Sequence, residues 1–237
     1  MVRPKRNEQK DLSTAIKETA WQEIAENGAA ALSLRAIARQ LGITAPAIYN
    51  YYPRRDDLVT ALIVDAYRQF GDAQLASVEN LPKADFAGRL RAAGTAYRAW
   101  AVQNPQRYQL IFGTPIPGYQ APAEVTTPVA GRALTALVSV LEDARKAGCL
   151  APCPLPELSP ALREQLMIWT GMHPVGDVYV LYLAVVIWMR VHGLVSSEIS
   201  GQYPSFILAT EEIYLREIEM MVQSYLFQKP EALPFGN

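Results

Sequence analysis

Apolar residues recur at the spacing of an α-helix along almost the whole chain. Near the start, four of them lie four residues apart, which places them on one face of a helix. These residues are Leu12, Ile16, Ala20 and Ile24. Asn27 and Gly28 follow, and this pair is typical of a helix C-terminus. The same period predicts further helices over residues 55–81, 84–103, 105–113, 125–146, 161–171, 178–200 and 205–227.

Two short helices are predicted between the first helix and the one at 55–81. Ser33 can cap the first of them, which begins at Leu34 and ends at Gly42. Thr44 is the corresponding cap of the second, and Pro46 lies in its first turn, where a missing N–H costs little. This second helix is expected to run to about residue 51, because the proline at position 53 breaks it.

The predicted fold class is all-α, with about ten helices. No segment has the apolar–polar alternation of a strand, and no segment repeats another. The segment CLAPCPLPELSP, residues 149–160, contains four prolines. It is therefore expected to be a linker between packed helices.

Residues 34–52 have the features of a helix-turn-helix. Ala38 is small where the two helices would meet, and Gly42 occupies the turn, where a positive φ costs little only for glycine. The outward face of the second helix carries alanine, proline, tyrosine and asparagine, whereas a surface helix usually carries Lys and Glu. An ordinary helical hairpin explains the small residues but not this outer face, so a helix that enters the DNA major groove is favoured. The apolar residues expected to hold the helices together are Ile37, Leu41, Ile43 and Ile48.

The charge distribution is compatible with DNA binding at one end of the chain. Half of the residues are apolar and the net charge is −1, so the chain is not basic throughout. Residues 1–10 nevertheless hold four positive charges against one negative. A basic arm on a nearly neutral body suits a polyanion-binding end, although a solubilising tail is the alternative.

The sequence leads us to expect a cytoplasmic protein. No apolar stretch follows the basic residues at the start, as a secretory signal would require. The longest uninterrupted apolar run, residues 178–189, is shorter than the roughly 18–20 residues of a membrane span and is expected to be a buried helix. Cys149 and Cys153 do not make a disulfide framework, which favours a reducing compartment.

The segment SLRAIARQLGITAPAIYNYYPRRDDLVTALI, residues 33–63, resembles the DNA-binding region of the TetR family of bacterial transcriptional repressors. Further along, WMRVHGLVSSEISG (residues 188–201) is similar to a Trp…His-Gly motif of one C-terminal subclass of that family, and AWAVQNPQRYQLIFG (residues 99–113) has the look of the same subclass. The matching features in the first quarter are the Ile37-Ala38 pair, Gly42-Ile43-Thr44, the Tyr49 to Tyr52 pattern and Arg55 to Leu58, with Ile16, Ala20 and Gly28 in the first helix.

The resemblance implies a set of DNA contacts. Thr44, Ala45, Pro46 and Asn50 would lie at or near base edges, and Tyr49 and Tyr51 along the phosphates, although the family more often has histidine where Tyr51 stands. This division is chemically sound, because asparagine can bond adenine bidentately, alanine methyls suit thymine, and a tyrosine hydroxyl can donate to phosphate. Arg3, Lys5 and Arg6 could reach the minor groove or neighbouring phosphates. The residues expected to contact DNA are Ser33, Arg35, Thr44, Ala45, Pro46, Ala47, Tyr49, Asn50, Tyr51 and Arg55.

A groove-reading helix needs a partner about one DNA turn away, so we expect a homodimer on a palindromic operator. The last two long helices are the best candidates for its interface. Gly193 would permit close approach of another helix, while His192 is expected to be a hydrogen-bonded structural residue. The residues assigned to this interface are Val185, Trp188, His192 and Gly193.

The resemblance also implies a small-molecule effector in the C-terminal part of the chain, most simply one that releases a repressor from its operator. Few charged residues are candidates for its pocket, so an uncharged, largely apolar effector is expected. Plain core packing is the alternative for each of these positions. The residues assigned to the pocket are Trp100, Tyr108, Phe112, Trp169, Met172 and His173.

The predicted domains are residues 1–54 for DNA binding, with the basic arm at 1–10, residues 55–228 for ligand binding and dimerisation, and a tail at 229–237. A DNA-binding protein without an effector remains an alternative. An enzyme is disfavoured, because no phosphate loop, nucleophile elbow or HExxH motif occurs. Cys149, Cys153 and His173 lack a standard zinc spacing, so no metal and no cofactor is predicted.

Overall fold

The computed structural model describes residues 6–152, 157–168 and 175–227, with side-chain surroundings from residue 12 onward. Over these ranges the chain is all-α and contains no strand, only one isolated bridge between Leu150 and Leu226. This confirms the predicted fold class. The helices are α1 Arg6–Asn27, α2 Leu34–Gln40, α3 Ala45–Tyr49, α4 Arg55–Glu79, α5 Phe86–Gln103, α6 Pro105–Phe112, α7 Ala123–Arg132, α8 Thr135–Lys146, α9 Pro160–Met167, α10 Val178–Ile199 and α11 Thr210–Tyr225, and a 3₁₀ turn lies at Ala29–Ala31.

Three helix predictions were wrong in their bounds. The predicted helix over 125–146 is two helices, because the chain turns at Ala133 and Leu134, whose N–H groups bond three residues back. Pro128 inside α7 removes one helical donor just before this turn. The last helix begins at Thr210, not at residue 205, since the chain forms a turn after Pro204. α3 ends at Tyr49, two residues earlier than predicted.

The first compact unit contains the described residues up to Tyr67 together with Asn104–Val129. Its core is built where α1, α2, α3 and the start of α4 meet. The side chains of Ile16, Ile37, Ile48 and Leu58 there have no solvent exposure. Burial of this order is the main stabilising contribution to so small a helical unit.

This first unit extends beyond the predicted residues 1–54. Ile116 and Tyr119, in the loop after α6, pack against the helix-turn-helix core. The Tyr119 hydroxyl lies 2.9 Å from Thr60 Oγ1, and the Tyr67 hydroxyl donates to the Ile111 carbonyl at 3.1 Å. Segments far apart in the sequence thus complete one unit.

The second compact unit contains Arg68–Gln103 and the described residues from Ala130 onward. Its central helix is α10, which contacts α5, α8 and α11. α10 as a whole is long and apolar enough to cross a membrane by length and composition alone, with a mean hydropathy of 1.8 over an 18-residue stretch. The uninterrupted apolar run within it, residues 178–189, is shorter than a membrane span, as expected. In the structure, 44% of the 18-residue stretch is buried inside the chain, as in the core helix of a packed bundle.

Candidate nucleic-acid interface

The turn between α2 and α3 is fixed by local backbone chemistry. Ser33 adopts an extended conformation and its hydroxyl accepts from the Ala36 N–H at 3.4 Å, which caps α2 as predicted. Gly42 has a φ of +65°, a conformation that is cheap only for glycine. The Ile43 N–H then bonds to the Ala38 carbonyl at 3.0 Å and closes the corner. The predicted helix-turn-helix is therefore present.

Packing decides which side of α3 faces outward. Ile48 is the one buried residue of α3 and lies in the same core as Ile37 and Ala38. Leu41 and Ile43 are partly buried against that core. The four apolar residues expected to hold the two helices together therefore lie on the inner side, and Ala45, Pro46 and Tyr49 of α3 are left exposed.

The outward side of α3 carries the residues expected to contact DNA. Tyr49 is 38% exposed, and Ala47 and Tyr51 are partly buried. Thr44 occupies the N-cap position of α3, as predicted, but its side chain makes no capping hydrogen bond. The prediction that its hydroxyl caps the helix was therefore wrong. The fully outward residues are Thr44, Ala45, Pro46 and Asn50.

Tyr52 differs from its tyrosine neighbours. It is 8% exposed and belongs to the apolar core of the first unit, as its exclusion from the contact set anticipated. Its hydroxyl lies 3.5 Å from Ser13 Oγ on α1. The run of tyrosines therefore combines Tyr52 in the core, Tyr51 partly buried against that core, and Tyr49 at the surface.

The N-terminus of α4 carries two arginines with different surroundings. Arg54 pairs with Asp57 at 2.8 Å, and the Asp57 carboxylate also accepts from the Arg54 backbone N–H. Arg54 is therefore held by Asp57, and its guanidinium lowers the pKa of the Asp57 carboxyl. Arg55 makes only a 3.6 Å ion pair with Asp56, and its covered Nε and Nη2 have no hydrogen-bond partner. Arg55 is thus the residue with unused donors at a helix N-terminus, where an anion is favoured.

The basic arm lies mostly outside the described residues. Arg3 and Lys5 belong to that part, and Arg6 is known only as the first residue of α1. Arg35 and Arg39 on α2 are exposed and supply positive charge on the helix that precedes the turn.

The residues assigned to the effector pocket fall into different parts of the structure. Trp100 lies in the second unit, with its ring centroid 5.0 Å from that of Phe70. Tyr108 and Phe112 lie in the first unit, and their ring centroids are 5.0 Å apart. Trp169, Met172 and His173 lie outside the described residues. The three described residues do not form a common pocket within either unit.

Sequence reasoning missed a cavity in the core of the second unit. Its volume is about 30 Å³, roughly the space of one water molecule. One signal for it was available: Gln74 continues the four-residue spacing of the buried Leu62, Ala66 and Phe70, so a polar side chain was due to point inward. The lining residues include Gln74, Leu90, Tyr97, Ile187, Trp188 and Met221.

The residues assigned to the dimer interface have mixed surroundings. His192 Nδ1 lies 3.2 Å from the Tyr97 hydroxyl and Nε2 lies 3.3 Å from Ser196 Oγ. Burial lowers the pKa of His192, so it is a neutral, hydrogen-bonded residue, as predicted for its structural role. Trp188 borders the cavity, whereas Val185 is half-buried. Gly193 is exposed, and a Cβ built on it would meet nothing within 4 Å.

The described part of the chain contains no group of three or more metal-ligating side chains. Cys149 is a free, half-buried cysteine. Cys153 and His173, the other members of the metal alternative, lie outside the described residues.

A capped helix, a glycine corner and an outward second helix define the class of helix-turn-helix proteins. Comparison with known families agrees. The model of bacterial regulatory proteins of the tetR family matches residues 16–62, and that of the tetracyclin repressor-like C-terminal domain matches residues 90–221. The chain belongs to the TetR family of bacterial transcriptional regulators, a family of DNA-binding proteins.

Individual relatives give the same answer. The chain is 33% identical over 213 residues to the HTH-type transcriptional regulator Rv1816 of Mycobacterium tuberculosis, covering 87% of this chain and 88% of the relative. The regulator Mb1846 of Mycobacterium bovis matches to the same extent. Among solved structures, regulatory protein SCO4313 has a TM-score of 0.76 at 33% identity and covers 93% of this chain and 100% of its own. The SmeT–triclosan complex shares the fold at 13% identity, with a TM-score of 0.64 and coverage of 93% and 98%.

Proposed function

We propose that this regulator binds a palindromic operator as a homodimer and reads it with α3 in the major groove. The observation that carries the proposal is the outward face of α3: Thr44, Ala45, Pro46 and Asn50 are exposed, while Ile48 alone anchors the helix inside. An exposed helix face without charged residues favours a surface that contacts another molecule over one that faces only solvent.

The proposed contacts divide into base-reading and phosphate-holding groups. Asn50 can bond the N6 and N7 of adenine, and the methyl of Ala45 fits against thymine. Tyr49 donates its hydroxyl to a phosphate while its ring packs on the sugar. Arg55 holds a second phosphate at the N-terminus of α4, where its side chain is 32% exposed. The further residues of the proposed contact set are Ser33, Arg35, Ala47 and Tyr51.

The proposed dimer interface lies on α10 and α11. Met189 on α10 is 53% exposed and Met220 on α11 is 57% exposed, and long apolar side chains at that exposure favour a subunit contact. The open space around Gly193 leaves room for the backbone of a partner helix to approach. Two copies joined this way would place their two α3 helices in successive turns of the major groove.

The proposed mode of action is repression relieved by a small, largely apolar effector. Some conformations of the dimer would hold the two α3 helices at a spacing that does not match the operator. An effector that binds these conformations more tightly shifts the population away from the DNA-competent state. A coupling of about 1–3 kcal/mol would weaken operator binding by about 5- to 150-fold. α4 is the element proposed to transmit effector binding to the helix-turn-helix, since this one continuous helix begins at Arg55 and includes residues of the second unit. We infer a cytoplasmic location from this role.

A DNA-binding protein without an effector is the second candidate. The observation in its favour is the size of the core cavity, about 30 Å³, well below the roughly 300–1,000 Å³ of typical ligand pockets. A regulator of this kind would bind its operator with an affinity that no small molecule changes.

Selection of bound duplexes from a random-sequence pool tests the proposed DNA reading. We expect enrichment of one palindrome whose half-sites are centred about 10 base pairs, or a multiple of that, apart. Recovery of duplexes without a shared sequence would contradict the proposal. Screening uncharged organic compounds for release of the selected operator then separates the effector-responsive regulator from the second candidate.

A further inference from the structure

A tight turn in the loop after α6 is fixed by its own sequence. The segment Ile116-Pro117-Gly118-Tyr119 has proline and glycine at its two central positions, which is the signature of a type II turn. Gly118 has a φ of +75°, and the Tyr119 N–H bonds to the Ile116 carbonyl at 3.1 Å, which closes the turn. The first and last residues of the turn pack against the apolar core of the first unit. The turn therefore holds Tyr119 in one place against that core.

The Tyr119 hydroxyl extends a chain of hydrogen bonds into the first turn of α4. Thr60 Oγ1 donates to the Asp56 carbonyl at 2.9 Å, and the Tyr119 hydroxyl lies 2.9 Å from the same Thr60 oxygen. A hydroxyl has one hydrogen, so Thr60 is the acceptor of this second bond and Tyr119 is its donor. Burial, with a smaller contribution from the nearby Asp56 carboxylate, raises the pKa of Tyr119, so its phenol stays a donor. A residue 59 positions further along the chain is thus bonded to the start of α4.

The first turn of α4 carries Arg55, whose position depends on the backbone of that turn. Arg55 makes a 3.6 Å ion pair with Asp56, and its covered Nε and Nη2 have no hydrogen-bond partner among the described residues. An arginine with so few bonds of its own is held mainly by the helix turn that carries it. Asp56, whose carbonyl accepts the Thr60 bond, is the next residue of that turn. Tyr119 therefore acts on the same stretch of backbone that sets the direction of Arg55.

We propose that Tyr119 is a positioning residue for DNA binding, which holds the first turn of α4 so that Arg55 meets its phosphate. The inference rests on the proposed function, in which Arg55 contacts a phosphate, and adds to it a residue outside the helix-turn-helix. Such a contact depends on placement, because a charge-assisted hydrogen bond needs its donor and acceptor about 2.7–2.9 Å apart. A first turn that shifts would lose this geometry, while Ile48 would still anchor α3 in the core.

Conservative variants of the hydrogen-bonded pair test the inference. Tyr119→Phe removes the hydroxyl and keeps the ring, and its affinity for the selected operator should fall about three- to tenfold, as expected for the loss of one hydrogen bond. Thr60→Val removes the acceptor at nearly constant shape and should give a loss of the same size. Tyr67→Phe is the matched control, because it loses a hydroxyl that donates to the Ile111 carbonyl in the same unit, about three helical turns further along α4. Its affinity should stay within about twofold of wild type.

A double-mutant cycle separates positioning of Arg55 from general support of the fold. Because Tyr119 is proposed to act through Arg55, Tyr119→Phe should cost less than about twofold in affinity once Arg55→Met is present. It should keep its full cost beside Asn50→Ala, since Asn50 is proposed to contact bases independently of Arg55. The salt dependence is a second readout: Arg55→Met should reduce the slope of log affinity against log salt by about one, and Tyr119→Phe should change the slope in the same direction.

An undiminished effect of Tyr119→Phe beside Arg55→Met would overturn the inference, as would wild-type affinity in both Tyr119→Phe and Thr60→Val. Either result leaves the proposed function intact as long as Asn50→Ala weakens operator binding. A wild-type protein that enriches no duplex would instead reject the proposed function, and this inference with it. Thr60→Val keeps the test decisive should Tyr119→Phe fail to fold.

Discussion

Two tyrosines at the C-terminal end of α3, Tyr49 and Tyr52, should respond differently to replacement by alanine. Tyr52 is 8% exposed and Tyr49 is 38% exposed. Because Tyr52→Ala leaves a cavity among α1, α3 and α4, we expect it to lower the free energy of unfolding by about 3 kcal/mol. Tyr49→Ala should change it by less than about 0.5 kcal/mol. Urea unfolding followed by circular dichroism gives both values, and equal losses would contradict the placement of the two side chains.

A partly buried ion pair in the second unit makes stability depend on pH. Arg98 donates from Nε and Nη2 to the two carboxylate oxygens of Glu198, at 2.8 and 2.6 Å. The hydrogen bonds from Arg98, and then that from Thr210, hold the pKa of Glu198 below its usual value of 4.5. A lowered pKa in the folded state means that the stabilisation is complete above about pH 4.5 and is lost as the pH falls through the folded-state pKa.

Glu198→Gln should therefore lower the free energy of unfolding by about 1–3 kcal/mol at pH 7. The difference from wild type should shrink as the pH falls through the lowered folded-state pKa of Glu198, because the wild-type carboxylate then becomes protonated itself. Thermal unfolding across this pH range is the measurement, with the exposed Glu164→Gln on α9 as the control. A constant difference at all pH values would show that the ion pair is not the cause.

The roles of individual residues differed in how far they could be predicted from the sequence. Gly42 and Ser33 were predictable, because a positive φ and an N-cap each favour few residue types. Arg55 was assigned to DNA contact from the family resemblance, but the local sequence did not predict which of Arg54 and Arg55 pairs within the chain, since both are basic residues at a helix start. Only the geometry distinguishes the arginine that pairs with Asp57 from the one with unused donors.

At the scale of helices, the two caps of the helix-turn-helix are unequal. Ser33 accepts a hydrogen bond from α2, whereas the Thr44 side chain makes no such bond to α3. We expect Ser33→Ala to cost about 1 kcal/mol of stability, and Thr44→Ala to cost less than about 0.5 kcal/mol. Differential scanning calorimetry of the two variants checks this, and a reversed order would mean that the caps are assigned wrongly.

The existence and type of nearly every helix followed from periodicity, while the exceptions have local causes. The break at Ala133 and Leu134 was missed because both residues are good helix formers. Pairing of α6 and the loop around Tyr119 with the helix-turn-helix core is a long-range contact, and no local pattern encodes it. The cavity was missed for the same reason, since its lining comes from five helices.

At the scale of the whole molecule, the exposed apolar faces of α10 and α11 predict a dimer. Met189→Asp combined with Met220→Asp should yield a monomer, because two carboxylates would be buried at the interface. Val102→Asp, at an apolar position on α5 with 43% exposure, is the matched control and should leave the dimer intact. Analytical ultracentrifugation separates the two outcomes. A dimer that persists in the double variant would place the interface elsewhere.

The most direct test of the account is the affinity of α3 variants for the selected operator. Fluorescence anisotropy at fixed salt should show that Asn50→Ala loses at least about tenfold for that sequence, because a bidentate base contact is worth about 1–3 kcal/mol. Its weaker binding to unrelated duplex should change little. Tyr49→Ala should weaken both, whereas Gln106→Ala on the exposed side of α6 should weaken neither. Wild-type operator affinity in both α3 variants, with the dimer intact, would contradict the central claim that α3 reads the DNA.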